Sequence, residues 1–238
     1  MKRINLDIIK ENESPPKIVN IFSAREIKMI QELYADLPER VFNKKQNIRK
    51  KAWVQNYNKE LDKLYFDKIK SVLGDFKMDT LKSESGEDLY GLFHESFSPL
   101  PLHVDSGFDE KAIIYKQVVT PLTSFGDTVV FKNRWYGRST SFTIDPDELK
   151  FKPKHEQNDR SCEHLCQGEF DKEIHQKYLT HIDINNLKGL KVELIYEWKV
   201  GETLIIDRSH IHSSSKRINE KYKIKSRQNS NIRSCFGW

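Results

Sequence analysis

The chain has 238 residues, 37% of them hydrophobic and 32% charged, with a formal net charge of +5 at pH 7. That length suits one domain with a sizeable buried core, and the longest apolar runs, such as Leu204-Ile205-Ile206, are far too short to cross a bilayer. Cys162, Cys166 and Cys235 give no even disulfide framework, and Met1 to Asp7 leads into polar residues rather than an apolar signal core, so a reducing, cytoplasmic setting is expected.

In chain order, Ile18 to Phe22 alternates as a strand entry, and Ser23 with Glu26 three residues on forms a capping box. The box opens a helix carrying Ile27, Met29, Ile30 and Leu33 at helical spacing, which Pro38 stops. A basic, loop-like stretch runs from Asn43 to Ala52. A second amphipathic helix is expected from Glu60 to Leu73, with Leu61, Leu64, Tyr65, Ile69 and Val72 on one stripe and Gly74 near its end.

From Asp88 the pattern changes to short β-rich runs separated by turn residues. They cover Leu89 to Phe97, Ala112 to Leu122, Thr128 to Phe131, Gly189 to Trp198, Glu202 to Asp207 and Lys221 to Ser226. A polar insertion, about 145–188, carries His155, His164, His175 and His181. Helices confined to the first third and many short strands afterwards argue for a mainly β protein, a jelly roll or barrel-like double sheet with a helical buttress. The expected organisation is one domain over 1–238, with the buttress at 1–87 and the β core at 88–238.

Within that core, Pro101-Leu102-His103-Val104-Asp105 places an imidazole and a carboxylate two residues apart in an extended segment. Residues i and i+2 of a strand share a face, so both side chains can grip one metal ion. A third ligand is available about 110 residues later in Ile206-Asp207-Arg208-Ser209-His210-Ile211-His212. Two histidines and one carboxylate with open positions make the facial triad of non-haem Fe(II) oxygenases. His210 and His212 share a face in an unbroken strand, so periodicity does not choose between them.

The His103-Val104-Asp105 motif, followed by Trp198-Lys199-Val200-Gly201-Glu202 and a nearby histidine, resembles the Fe(II)/2-oxoglutarate-dependent dioxygenases. It is similar to their phytanoyl-CoA and prolyl hydroxylase-like branches, over roughly residues 89 to 238. The resemblance implies a double-stranded β-helix (cupin-like) core, with iron held by His103, Asp105 and His212. His212 is preferred because it lies 11 positions after Gly201 (212 minus 201), the family's usual spacing. It also implies Fe(II), 2-oxoglutarate and O2 as the reacting set, with decarboxylation to succinate and CO2 coupled to hydroxylation of an unactivated carbon. The distal carboxylate of 2-oxoglutarate needs a cation, which the family usually supplies on the strand after the distal histidine. Here Lys225 and Arg227 fall 13 and 15 residues beyond His212 (225 and 227 minus 212). Lys116, on the strand after the His-x-Asp motif, is a third candidate.

A small molecule is the expected substrate. The basic stretches Lys44 to Lys51 and Lys216 to Arg233 also allow a nucleic acid or a protein side chain, and a non-catalytic jelly-roll binding module is the reading from another class. Phe131, Trp135, Tyr136 and Phe142, interleaved with Lys132, Arg134 and Arg138, are read as pocket wall or sheet packing rather than as base-stacking platforms. Cys162, His164 and Cys166 with His155 lack zinc-site spacing and are read as part of a lid or substrate loop.

Overall fold

Ser23 and Glu26 do what their spacing requires: the Ser23 hydroxyl accepts from the Glu26 amide at 3.3 Å, and the Glu26 carboxylate accepts from the Ser23 amide at 2.7 Å. The helix they start, and everything else described here, belongs to a computed structural model. It describes residues 6–38, 41–43, 48–78, 91–96, 99–104, 116–136, 140–144, 151–153, 168–215 and 229–237. Ser23→Ala is expected to lower stability by about 1 kcal/mol, roughly 2–4 °C in melting temperature for a chain of this size. Thermal denaturation checks it, and an unchanged melting temperature would mean that water replaces the cap without loss.

The helices are α1 (Leu6–Glu11), α2 (Ala24–Asp36), α3 (Lys59–Leu73) and α4 (Lys172–Tyr178), with a short 3-10 turn at Ile184–Leu187. The strands of the first half are β1 (Lys17–Asn20), β2 (Val41–Asn43), β3 (Ile48–Trp53), β4 (Lys77–Met78), β5 (Leu92–Ser96), β6 (His103–Val104) and β7 (Lys116–Pro121). Those of the second half are β8 (Asp127–Arg134), β9 (Thr140–Ile144), β10 (Phe151–Pro153), β11 (Val192–Glu197), β12 (Glu202–Asp207), β13 (His210–Ser214) and β14 (Asn229–Gly237).

Among the described residues the strands form two sheets. The larger has the order β1-β12-β7-β14-β5-β3-β2, with β4 added beside β14, and the smaller has the order β10-β9-β6-β13-β8-β11. All the pairings are antiparallel. This is the double-stranded β-helix expected from the sequence.

Strand alternation sorts the apolar residues into three layers. On the outer face of the larger sheet, Val118, Ile205 and Phe93 pack against Ile27 and Ile30 of α2 and Leu61, Tyr65 and Ile69 of α3. Between the sheets lie Val119, Val130, Leu204, Ile206, Tyr196 and Trp198. On the outer face of the smaller sheet, Val104, Val129, Phe131 and Ile211 meet Phe170, Tyr178, Leu179, Ile182, Leu187 and Leu190.

Three expectations change. The N-terminal third is not only a helical buttress: it also supplies β1 to β4 to the larger sheet. The stretch read as a basic loop holds most of β3, which pairs with β5 on one side and with the edge strand β2 on the other, because backbone pairing near a sheet edge tolerates a sequence rich in charged residues. The C-terminal part of the insertion, 168–190, is a packed layer on the smaller sheet, built from apolar residues spaced too widely to stand out in a polar background. The Cys162, His164, Cys166 and His155 group and the Lys221 to Ser226 run lie outside the described residues. No described helix is long and apolar enough to cross a membrane.

Candidate metal centre

β6 and β13 are antiparallel neighbours in which His103 is the direct partner of His212. Cross-strand partners share a face, so the pairing alone brings two imidazoles distant in sequence to one point on the inner wall. Their ring centroids lie 4.3 Å apart, and both side chains are buried.

Each ring is oriented by the same local device. His103 Nδ1 lies 2.7 Å from the Pro101 carbonyl oxygen, and His212 Nδ1 lies 3.0 Å from the His210 carbonyl oxygen. A carbonyl only accepts, so in the neutral ring Nδ1 carries the proton and Nε2 carries the lone pair. That is the form in which histidine binds a metal, held by a hydrogen bond through its other nitrogen. Asp105, next in line on the β6 segment, lies outside the described residues.

The cavity these histidines share is lined by Ser96 of β5, Leu100, Gln117 and Val119 of β7, Thr128 of β8, Trp198, Ile206 of β12 and Ser214 of β13. A mostly apolar wall with a few hydroxyl and amide groups suits a small polar ligand that needs orientation. Trp198 is fixed there by its indole N–H, which donates to the Thr128 hydroxyl at 2.9 Å. The strand that follows is reached through Gly201, whose φ of 90° makes the turn into β12 in a region that favours glycine.

His210 does not join the pair. At a register shift His210 stands opposite Arg134 of β8 while His212 stands opposite Val130, so the two rings meet different neighbours. The His210 ring is instead held 3.1 Å from Arg134 Nη1 and 3.0 Å from Glu193 Oε2. Nδ1 faces the Asp207 carbonyl oxygen, also at 3.1 Å, as well as Arg134, and Nε2 faces the Glu193 carboxylate. Burial, with the Arg134 charge beside it, pushes the His210 pKa down to about 3, so the ring is neutral at pH 7.

Lys116 also lies elsewhere than expected. Alternation along β7 turns Gln117 and Val119 into the cavity and Lys116 to the other face, where it pairs with Asp207 and donates to the Ser14 hydroxyl. Asp207 is the hub of that face. It accepts from Lys116, from Arg134 Nη1 at 2.8 Å and from the Ser14 amide at 2.7 Å. Burial alone would raise the Asp207 pKa, but these partners outweigh it and hold the carboxyl below its ordinary range. Arg134 also donates to the Ser14 carbonyl, which ties the segment before β1 to both sheets.

Lys225 and Arg227 lie outside the described residues. Sequence reading passed over Arg233, which in β14 occupies the ladder position beside Val119, a residue of the cavity wall. The available signal was an arginine directly before Ser234 in the last strand, six residues beyond Arg227 (233 minus 227). The aromatic group resolves as packing, since Phe131, Trp135 and Phe142 are buried in the layer outside the smaller sheet.

No family model matches the chain, and no curated protein matches it. Among solved structures, HygX from Streptomyces hygroscopicus with nickel, 2-oxoglutarate and hygromycin B bound is similar at a TM-score of 0.50 and 10% identity, covering 100% of this chain and 87% of that one. HygX with nickel and 2-oxoglutarate bound gives a TM-score of 0.51 at 9% identity, with the same coverage. At such identity the likeness shows the fold: this chain has the double-stranded β-helix architecture of that protein.

Proposed function

We propose that the protein is an Fe(II)- and 2-oxoglutarate-dependent oxygenase that hydroxylates a carbon of a small molecule. The observation that carries this reading is the cross-strand pair His103 and His212, each with Nδ1 bonded to a backbone carbonyl and Nε2 left as the lone-pair nitrogen. Asp105, two residues after His103, would complete a facial set of two imidazoles and one carboxylate, a donor set suited to Fe(II). Bound there, iron with 2-oxoglutarate and O2 would supply oxidative decarboxylation to succinate and CO2 together with oxidation of the substrate carbon.

The chain's own residues orient and shield. Gln117, Thr128, Ser96 and Ser214 offer the polar groups of an otherwise apolar cavity, and Val119, Ile206 and Trp198 keep bulk water out of it. The distal carboxylate of 2-oxoglutarate requires a cation from the last segment of the chain. Lys225 and Arg227 are candidates by distance from His212, and Arg233 is a candidate by its place in the ladder. Lys116 is committed to Asp207. HygX, with hygromycin B bound on the same architecture, supports a small molecule as substrate class.

The test is succinate release from 2-oxoglutarate with added Fe(II) and ascorbate, in the parent and in His103→Ala, Asp105→Ala and His212→Ala. Turnover in the parent and a loss of at least a hundredfold in each variant is expected. A parent that neither turns over 2-oxoglutarate nor binds metal would favour a binding module that has kept only the fold.

A further inference from the structure

His103 sits on a strand of only two residues, preceded by Pro99-Leu100-Pro101. Prolines have no amide hydrogen, so within that tripeptide Leu100 alone has an N–H to donate. Both polar groups of its backbone are held by side chains rather than by a strand. Its N–H donates to the Ser214 hydroxyl at 2.6 Å, and its carbonyl accepts from the Ser213 hydroxyl at 2.8 Å and from His181 Nε2 at 3.1 Å. The next backbone anchor is the Leu102 carbonyl, which accepts from the Phe142 amide.

We infer that Ser213, with His181 behind it, is a positioning residue for the metal-ligand ring of His103. The chain of cause is short. The Nδ1–H of His103 is aimed at the Pro101 carbonyl, and the peptide unit entering Pro101 carries the Leu100 carbonyl that Ser213 and His181 grip. With that unit held on one side, φ of Pro101 set by its ring and the Leu102 carbonyl held on the other side, the Pro101 carbonyl is confined to the direction that receives the His103 Nδ1–H. Ser213 follows His212 directly in the chain, so a single strand provides one ligand and the clamp for the other. His181 belongs to the packed layer 168–190, which this contact links to the cavity from its outer side.

Ser213 suits a clean test because it is fully buried and does not line the cavity, whereas Ser214 does. Its hydroxyl lies 2.8 Å from the Leu100 carbonyl oxygen and 3.1 Å from that of Ser214, the shorter contact being the one toward His103, and the His103 tautomer is the readout that reports on the Leu100 contact rather than on its neighbours in β13. The inference rests on the metal-site reading above only for its second readout.

The experiment follows the His103 imidazole in the metal-free, 15N-labelled protein by long-range 1H–15N correlation, and then titrates Ni(II). The parent is expected to show one His103 tautomer, with the proton on Nδ1. Ser213→Ala should show a mixture of tautomers and bind Ni(II) about tenfold more weakly, at the lower end of the effect of groups that orient metal ligands. Ser213→Thr, which keeps the hydroxyl, should restore the single tautomer. If Ser213→Ala does not fold, His181→Phe, which removes the other donor to the same carbonyl, is read in the same two ways. An unchanged tautomer and unchanged Ni(II) affinity in the variant that folds would overturn the inference. A parent that binds no Ni(II) but whose tautomer responds to Ser213→Ala would sink the metal reading and leave the positioning role standing.

Discussion

Asp207→Asn is expected to cost the fold about 3–5 kcal/mol at pH 7, the range seen when one partner of a buried ion pair is removed and the other is left uncompensated. Asp207 is 4% exposed and accepts from Lys116, Arg134 and the Ser14 amide, so losing its charge leaves the buried Lys116 and the half-buried Arg134 without their carboxylate at once. In a chain of this size that corresponds to a fall in melting temperature of roughly 6–20 °C. Lys116→Met should cost less, because Arg134 and Ser14 still satisfy the carboxylate. The sign of the pH dependence follows from the direction of the shift. The folded pKa of Asp207 lies below its ordinary value of 3.8. Its contribution is therefore complete above that value and is lost as pH falls through the folded pKa. The stability difference between parent and Asp207→Asn should stay level from neutral pH down to about 4 and close only in stronger acid. Urea midpoints at pH 7, 5, 4 and 3 measure it. A difference below about 1 kcal/mol at pH 7 would show that the two cations are hydrated in the native state.

The parts of this architecture governed by local chemistry were legible in the sequence. The capping box at Ser23 and Glu26, the buried stripe Leu61, Tyr65 and Ile69, and the bounds of β12 all follow from spacing over a few residues. The meeting of His103 and His212 was anticipated through a family resemblance, but its geometric cause, direct partnership across β6 and β13, is a fact of register between distant segments. What was not legible depends on such long-range facts. Periodicity treats His210 and His212 alike, and only the register shift against β8 separates them. Lys116 was eligible as an anchor until the alternation of β7 assigned Gln117 and Val119 to the cavity. Arg134 gave no signal of its role, because its partners come from two stretches of chain far from it in sequence, Ser14 in one and Asp207 and His210 in the other. The layer 168–190 was hidden for a similar reason: its buried residues are scattered among charges and become a cluster only against Val129, Phe131 and Ile211.

Removing either ring of the cross-strand pair should abolish stabilisation by metal. A ligand that binds only the native state at a free concentration one hundred times its dissociation constant stabilises by about 2.7 kcal/mol, which in this chain is roughly 5–11 °C. The parent is expected to show a rise of that size with Ni(II), and His103→Ala and His212→Ala are expected to show none at the same concentration. A loss of fold does not imitate this result, since each variant is compared with itself with and without metal. His210→Asn supplies the decisive contrast. His210 is buried against Arg134 and Glu193, so its replacement should lower the metal-free melting temperature while leaving the Ni(II)-dependent rise intact. The opposite pattern, in which His210→Asn loses the rise and His212→Ala keeps it, would move the ligand two residues along β13. It would also require a register for that strand other than the one that pairs His212 with His103. The melting experiment therefore tests the strand pairing and the ligand assignment together, because the same cross-strand contact is responsible for both.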